Sequence, residues 1–301
     1  MEKYSRWRDA GTGIQPFLPP VPPRIESSLL LVLSNVIHYV VGPVLGAIKL
    51  VLIAILVLCY ILFVKLFGLI LIPLGPVRRL WCKVWNLILI RTTLFVAGFF
   101  YIKHEVVSTR KSRGDSTNAY EKMPTPSSGD IIVANWTSYI DILYLAYRFN
   151  PVFTQIYPAE NKVCEISMWQ AVRLCSQFPA LSAEEKKVPP NRLFTVSELV
   201  QRVSARHLGP IVVLPEGTTT NGRALLKFIP IFANYDSDRS RSKFHVLAFS
   251  EDVLGERLIT SLGNISRLRK TNLSISDKRD FLQYYKTRQS GSAPKSSKKS
   301  N

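Results

Sequence analysis

The chain has 301 residues, 47% of them hydrophobic, four cysteines and a formal net charge of +18. That length suits one sizeable domain plus an extra segment, and four cysteines without a Cys-x-x-Cys pair suggest neither a disulfide framework nor a zinc site. The cationic excess calls for an anionic partner surface, nucleic acid or membrane. Apolar residues crowd into positions 28–100, which favours membrane, since a juxtamembrane Lys or Arg gains about 1 kcal/mol near anionic lipid.

Residues 1–27 read as a polar, Pro-rich N-terminal arm in extended polyproline II conformation. The first apolar run starts too late and is too long for a cleaved signal peptide, so no leader is expected. Residues 28–76 read as a membrane-embedded helical segment. A break is expected at Gly42-Pro43, where proline removes a helix donor. Residues 50–72, with Lys65 their one charge, are long enough to span a hydrocarbon core of about 30 Å. Two layouts remain open. One is a single span plus an interfacial helix; the other is a hairpin with its tip near residues 42–49. Basic flanks on both sides (Lys3, Arg6, Arg8 and Arg24 before; Arg78, Arg79, Lys83 and Arg91 after) favour the hairpin, with both ends cytosolic.

Residues 77–96 carry apolar positions at helical spacing among basic ones, predicting an amphipathic helix along the interface. Residues 99–107 predict a strand containing His104, which reads as a packing residue. Residues 108–129 predict a loop. Strands then alternate with helices: strands at 130–134, 151–157, 178–182, 211–214 and 244–249, helices at 136–148, 165–176 and 195–206. The last helix opens with the capping pattern Thr195-Val196-Ser197-Glu198. Residues 77–285 therefore predict an α/β domain, a mixed central sheet flanked by helices. Residues 286–301 predict a basic disordered tail. Cys59, Cys82, Cys164 and Cys175 read as free thiols in a reducing environment.

Two segments carry the chemistry. Leu214-Pro215-Glu216-Gly217-Thr218-Thr219-Thr220-Asn221-Gly222 follows a short β-branched strand, and its glycines allow close backbone approach. Val133-Ala134-Asn135-Trp136-Thr137-Ser138-Tyr139-Ile140-Asp141 follows another strand and opens a helix. Ligands of open α/β sheets sit at such strand ends, and a helix N-terminus offers N–H groups and partial positive charge to an oxyanion or phosphate.

Together these segments resemble the PlsC-type glycerolipid acyltransferases, in which a strand, Asn-His-x-Ser-x-x-Asp and, farther on, Pro-Glu-Gly-Thr recur. The chain ends also look like those of the fungal lysophosphatidate branch of the family. The resemblance implies acyl transfer from acyl-CoA, a co-substrate, to the hydroxyl of lysophosphatidic acid, giving phosphatidic acid. It implies no cofactor, metal or nucleic acid, and membrane lipids as surroundings. It places the active face at the cytosolic side of the endoplasmic reticulum membrane, or on a lipid droplet. Asp141 would accept or relay the hydroxyl proton. Asn135, Thr137 and Ser138 would bind substrate, the last two by hydrogen bonds; Glu216, Gly217 and Thr218 would seat the acceptor head group, and Arg223 would pair with its phosphate. Two residues depart from the pattern. Trp136 stands where the family has its catalytic His, and an indole N–H is a donor without a basic lone pair. Thr219 stands where Arg is usual. Two rivals follow: a non-catalytic lipid-binding relative acting in trafficking, and an acyltransferase for another lysophospholipid.

Overall fold

A computed structural model describes residues 4–11, 13–18, 36–102, 125–233, 235, 242–249 and 269–289. They fall into two compact units, one of residues 20–104 and 142–150, the other of 1–19, 105–141 and 151–301. His104, most of the 108–129 loop, residues 19–35 and the tail beyond 289 lie outside the described residues.

The first unit is a helical hairpin. Its first arm, α1, runs unbroken over residues 37–70: π-helical at Ile37–Val41, α-helical at Gly42–Tyr60, π-helical again at Ile61–Leu66, and α-helical at Phe67–Ile70. The expected break at Gly42-Pro43 does not occur. The N–H of Gly42 reaches back to Ile37 O, so a widened π turn precedes Pro43 and absorbs its missing donor. The chain turns instead just after Ile70, and α2 (Gly75–Ala97) returns. The hairpin expectation thus holds with a different tip and a different second arm. The helix expected to lie along the interface is the return arm.

Proline at the first turn opens α2. Gly98, at φ 116°, closes it, with Phe99 N–H donating to Leu94 O at 2.9 Å. The arms are pinned beside the turn by aromatic pairs: Phe63 on Trp85 at 4.2 Å between centroids and Phe67 on Trp81 at 5.3 Å. Trp81 Nε1 also donates to Phe63 O at 2.9 Å. Gly68 is buried against Cys82. Arg91, inside the apolar stretch, turns its guanidinium to the carbonyls of Phe99 and Phe100 at 2.8 and 2.7 Å, which satisfies both the charge and the end of the helix.

Two stretches, Tyr39–Ile70 and Leu80–Ala97, are long and apolar enough to cross a membrane, and only 11% and 17% of their most apolar windows are buried. A core helix of a soluble domain would be mostly covered; these present their Leu, Ile and Val side chains outward.

The second unit is the α/β domain. Its six-stranded mixed sheet has the order β4-β3-β2-β5-β1-β7. The strands are β1 (Ile131–Ala134), β2 (Val152–Tyr157), β3 (Lys162–Ile166), β4 (Leu193–Phe194), β5 (Ile211–Val213) and β7 (Phe244–Leu247). β1 lies parallel between β5 and β7, with Val133 opposite Val213 and Val246. β2 adds in parallel to β5, and β3 and β4 add antiparallel beyond it. Its helices are α4 (Met168–Leu174), α5 (Val196–Ala205) and α6 (Ile275–Gln289); α3 (Tyr139–Phe149) starts in this unit, and its residues from 142 on belong to the first. A separate parallel pair joins β6 (Ala224–Leu225) to β8 (Arg269–Lys270). Strands β1 and β5 are buried along their whole length, as expected of parallel strands covered on both faces. Ile131, Val133, Ile211 and Val213 pack with Leu199, Val200 and Val203 of α5 in one apolar cluster.

Two assignments change. The helix expected from 165 starts at Met168, because Ser167 and Gln170 form a reciprocal capping box. The residues before it are strand β3, joined to β2 by a tight turn in which Asn161 takes φ 49°. The strand expected at 178–182 is absent; the edge of the sheet is β4. The Thr195–Glu198 capping box forms as expected, at 2.8 and 3.3 Å.

Among its described residues, 4–11 and 13–18, the N-terminal arm folds back on the domain. Ser5–Trp7 makes a 3-10 turn, and Tyr4, Trp7 and Phe17 pack on Phe281 of α6, with centroids 5.4–5.7 Å apart. α6 itself runs to Gln289, into the stretch from 286 that read as a basic tail.

Candidate active site

Strands β1 and β5 are parallel neighbours in register, so both loops leave the sheet at the same edge. They are tied together at Trp136. Its backbone N–H donates to Glu216 Oε1 at 3.3 Å, and its carbonyl accepts from Thr220 N–H at 3.0 Å. The site expected from two distant segments is thus brought to one place.

Asp141 is 5% exposed. Its Oδ2 accepts from Thr137 N–H and Oγ1–H, both at 2.7 Å, and from Ser138 N–H at 2.9 Å. The carboxylate therefore builds the turn that carries Trp136, as an Asp near a helix start can. The Ser138 hydroxyl accepts from Ile140 N–H at 3.2 Å. Asn135 is 1% exposed; its amide clamps both backbone groups of Phe249, at 2.8 and 2.7 Å. That clamp fixes the end of β1 against the segment after β7.

Glu216 is fully buried, at 0% exposure. Its second oxygen accepts from Leu226 N–H at 3.2 Å. Burial raises its carboxyl to about 7, against the pull of the Leu226 and Trp136 N–H groups and of Lys278. Gly217 has φ 68°. A Cβ there would meet Ile229 Cδ1 at 2.9 Å and Ile275 Cδ1 at 3.0 Å, so only glycine fits. Thr218 is buried and Arg223 is exposed. Asn221 holds the N-terminal arm, its Nδ2 donating to Gln15 O and Leu18 O, both at 2.8 Å.

Sequence reasoning missed two groups here. Lys278, from the first turn of α6, is half-buried; its Nζ donates to Thr219 O and, at 2.6 Å, to Thr219 Oγ1. Burial lowers its ammonium to about 8, while Cys175 and Glu216 push it back up. Cys175, just after α4, is the second. Burial raises its thiol to about 11, with the Trp136 N–H and Lys278 acting against that and Asp141 with it. The Trp136 indole, 5% exposed, keeps a buried N–H without a well-formed hydrogen bond. It lies against the Cys175 thiol, a weak acceptor. Lys278 stands in the stretch Asp277–Phe281 that carries the C-terminal resemblance, but nothing there assigned it to the site; Cys175 is one of four thiols with nothing local to single it out.

The arrangement offers an orphan N–H donor, an amine and two buried carboxyls around one strand edge. A Schizosaccharomyces pombe protein whose name assigns it provisionally as a lysophosphatidic acid:oleoyl-CoA acyltransferase is 30% identical over 241 residues, covering 77% of this chain and 68% of that protein. A lysophospholipid acyltransferase of Arabidopsis thaliana is 29% identical over 187 residues, covering 54% of this chain and 46% of its own length. No protein-family model and no solved structure matches the chain. With its two loops joined at Trp136 and most of its length shared with the first of these relatives, the chain belongs to the acyltransferase family that includes them.

Proposed function

We propose that the protein transfers an acyl chain from acyl-CoA to the free hydroxyl of lysophosphatidic acid, forming phosphatidic acid at the cytosolic face of the endoplasmic reticulum membrane. The observation that carries this is the convergence of the Trp136–Asp141 turn and the Glu216 loop on one sheet edge. A thioester is already activated, so the site needs a proton route for the attacking hydroxyl and donors for the oxyanion. Asp141 relays the proton and holds Thr137 and Ser138 in place. Asn135 fixes the end of the strand. Glu216, Gly217 and Thr218 shape the acceptor seat, and Arg223, at its exposed rim, meets the phosphate. The apolar hairpin keeps both lipid chains in the bilayer.

The test is product formation by the full chain in liposomes with labelled oleoyl-CoA and a panel of lysolipid acceptors. Lysophosphatidate should be preferred, and Asp141→Ala should lower kcat by about 10²–10⁴-fold, the worth of a positioned proton-transfer group. Preference for another lysophospholipid would move the assignment toward the second relative's name. Trp136 favours one further reading, a lipid-binding protein without turnover. Activity absent in the wild type and created by Trp136→His would establish that reading.

A further inference from the structure

Among the described residues, the site holds one amine that neither loop motif supplies. Lys278 reaches it from α6, more than fifty residues beyond the Glu216 loop in sequence, and rests on both oxygens of Thr219. The other groups are committed. Glu216 gives one oxygen to Trp136 N–H and the other to Leu226 N–H, Asp141 Oδ2 takes three donors, and Trp136 has no lone pair to offer. On its own helix, Asp277 is occupied by Ser274 N–H and Oγ at 2.8 and 2.7 Å, Arg279 pairs with Glu185 and Asp280 lies 3.9 Å from Arg6. From the other elements, Glu216 and Cys175 face it electrostatically.

Given the acyl-transfer reading above, on which this rests, we propose that Lys278 is the general base of the reaction, the final acceptor of the hydroxyl proton in the role that Trp136 cannot fill. The neutral amine takes the proton, directly or through Asp141, as the lysolipid oxygen bonds to the thioester carbon. The carbonyl electrons move onto oxygen, where the Trp136 indole N–H, otherwise unpaired, donates to them. The C–S bond then breaks, and the departing CoA thiolate recovers the proton from the Lys278 ammonium. Its lowered basicity near neutrality suits this exchange.

The test uses the full chain in liposomes with oleoyl-CoA and lysophosphatidate. In the wild type, kcat should rise with pH on a single ionisation near 8. Lys278→Met should lower kcat by about 10²–10⁴-fold with KM within threefold, abolish that ionisation, and recover in part with added methylamine. Lys278→Arg keeps the charge but cannot give up its proton, so it should be as slow as Lys278→Met. A Lys278→Arg enzyme at wild-type kcat, or a Lys278→Met defect confined to KM for lysophosphatidate, would overturn the proposal and make Lys278 a phosphate anchor. A second readout needs no turnover: acylation of Lys278 by a small amine reagent at pH 8 should outpace that of surface lysines and be blocked by lysophosphatidate. Turnover together with slow, unblocked modification overturns this inference alone. A wild type inactive with every acceptor overturns the acyl-transfer reading and this inference with it.

Discussion

The hairpin and the α/β unit are both built from Leu, Ile and Val, yet they spend that surface in opposite ways. In the α/β unit the side chains of β1, β5 and α5 are buried in one another, and the polar groups among them are paired: Asn135 on Phe249, Glu216 on two backbone donors, Asp141 on three. In the hairpin Leu50, Leu58, Leu62, Leu69 and Ile70 point outward, while aromatic pairs join the arms beside the turn. The α/β unit supplies its own solvent. The hairpin borrows one, and lipid is the medium in which an apolar exterior costs nothing.

The comparison breaks most directly at Glu216. Glu216→Ala orphans two buried N–H groups at about 1–3 kcal/mol each, so the α/β unit should lose about 2–6 kcal/mol in chemical denaturation. Membrane association should survive wherever the chain still folds. The converse change is Leu58→Arg. Leu58 is an outward residue of α1, and a charge at mid-helix costs about 3 kcal/mol of insertion. Alkaline extraction should release the variant, while urea melting of the α/β unit stays at the wild-type midpoint.

A smaller effect separates the interior charges of the α/β unit from its surface ones. Glu216 is raised from 4.5 to about 7, so the folded chain holds a proton there that the unfolded chain has lost, and stability falls as pH rises through that window. Lys278 is lowered from 10.5 to about 8; between those values the unfolded chain holds the extra proton, and stability climbs again. The melting temperature should therefore pass through a minimum between pH 7 and 8, by a few degrees. Glu216→Gln should flatten the acid side and Lys278→Met the alkaline side. Least of all should follow from Arg279→Ala. Its pair with Glu185 is half-exposed, and such pairs contribute little, so the melting temperature should not move.

The local patterns were legible wherever one short window held the cause. The alternation of strands and helices gave the α/β class, Thr195–Glu198 marked α5, and the apolar runs before residue 100 marked the hairpin. The Ser167–Gln170 box that starts α4 was equally present in the sequence and would have corrected that boundary. Pro43 misled, because one proline rule says break while a π turn lets the helix continue. The strand misplaced at 178–182 failed for another reason: which short apolar run pairs at a sheet edge depends on what β3 leaves open, and that is a property of the sheet.

Sequence alone determined the membership of the two loops and the chemical limit on Trp136, because an indole has no basic lone pair in any fold. Only the tertiary structure decided what surrounds that indole. Parallel pairing of β1 with β5 brings the two loops to one edge. Packing of the N-terminal aromatics on α6 accompanies the arrival of Lys278 at Thr219. The reason is distance along the chain: the setting of a half-buried amine is defined by neighbours that are close in space and remote in sequence, and no window of residues records them.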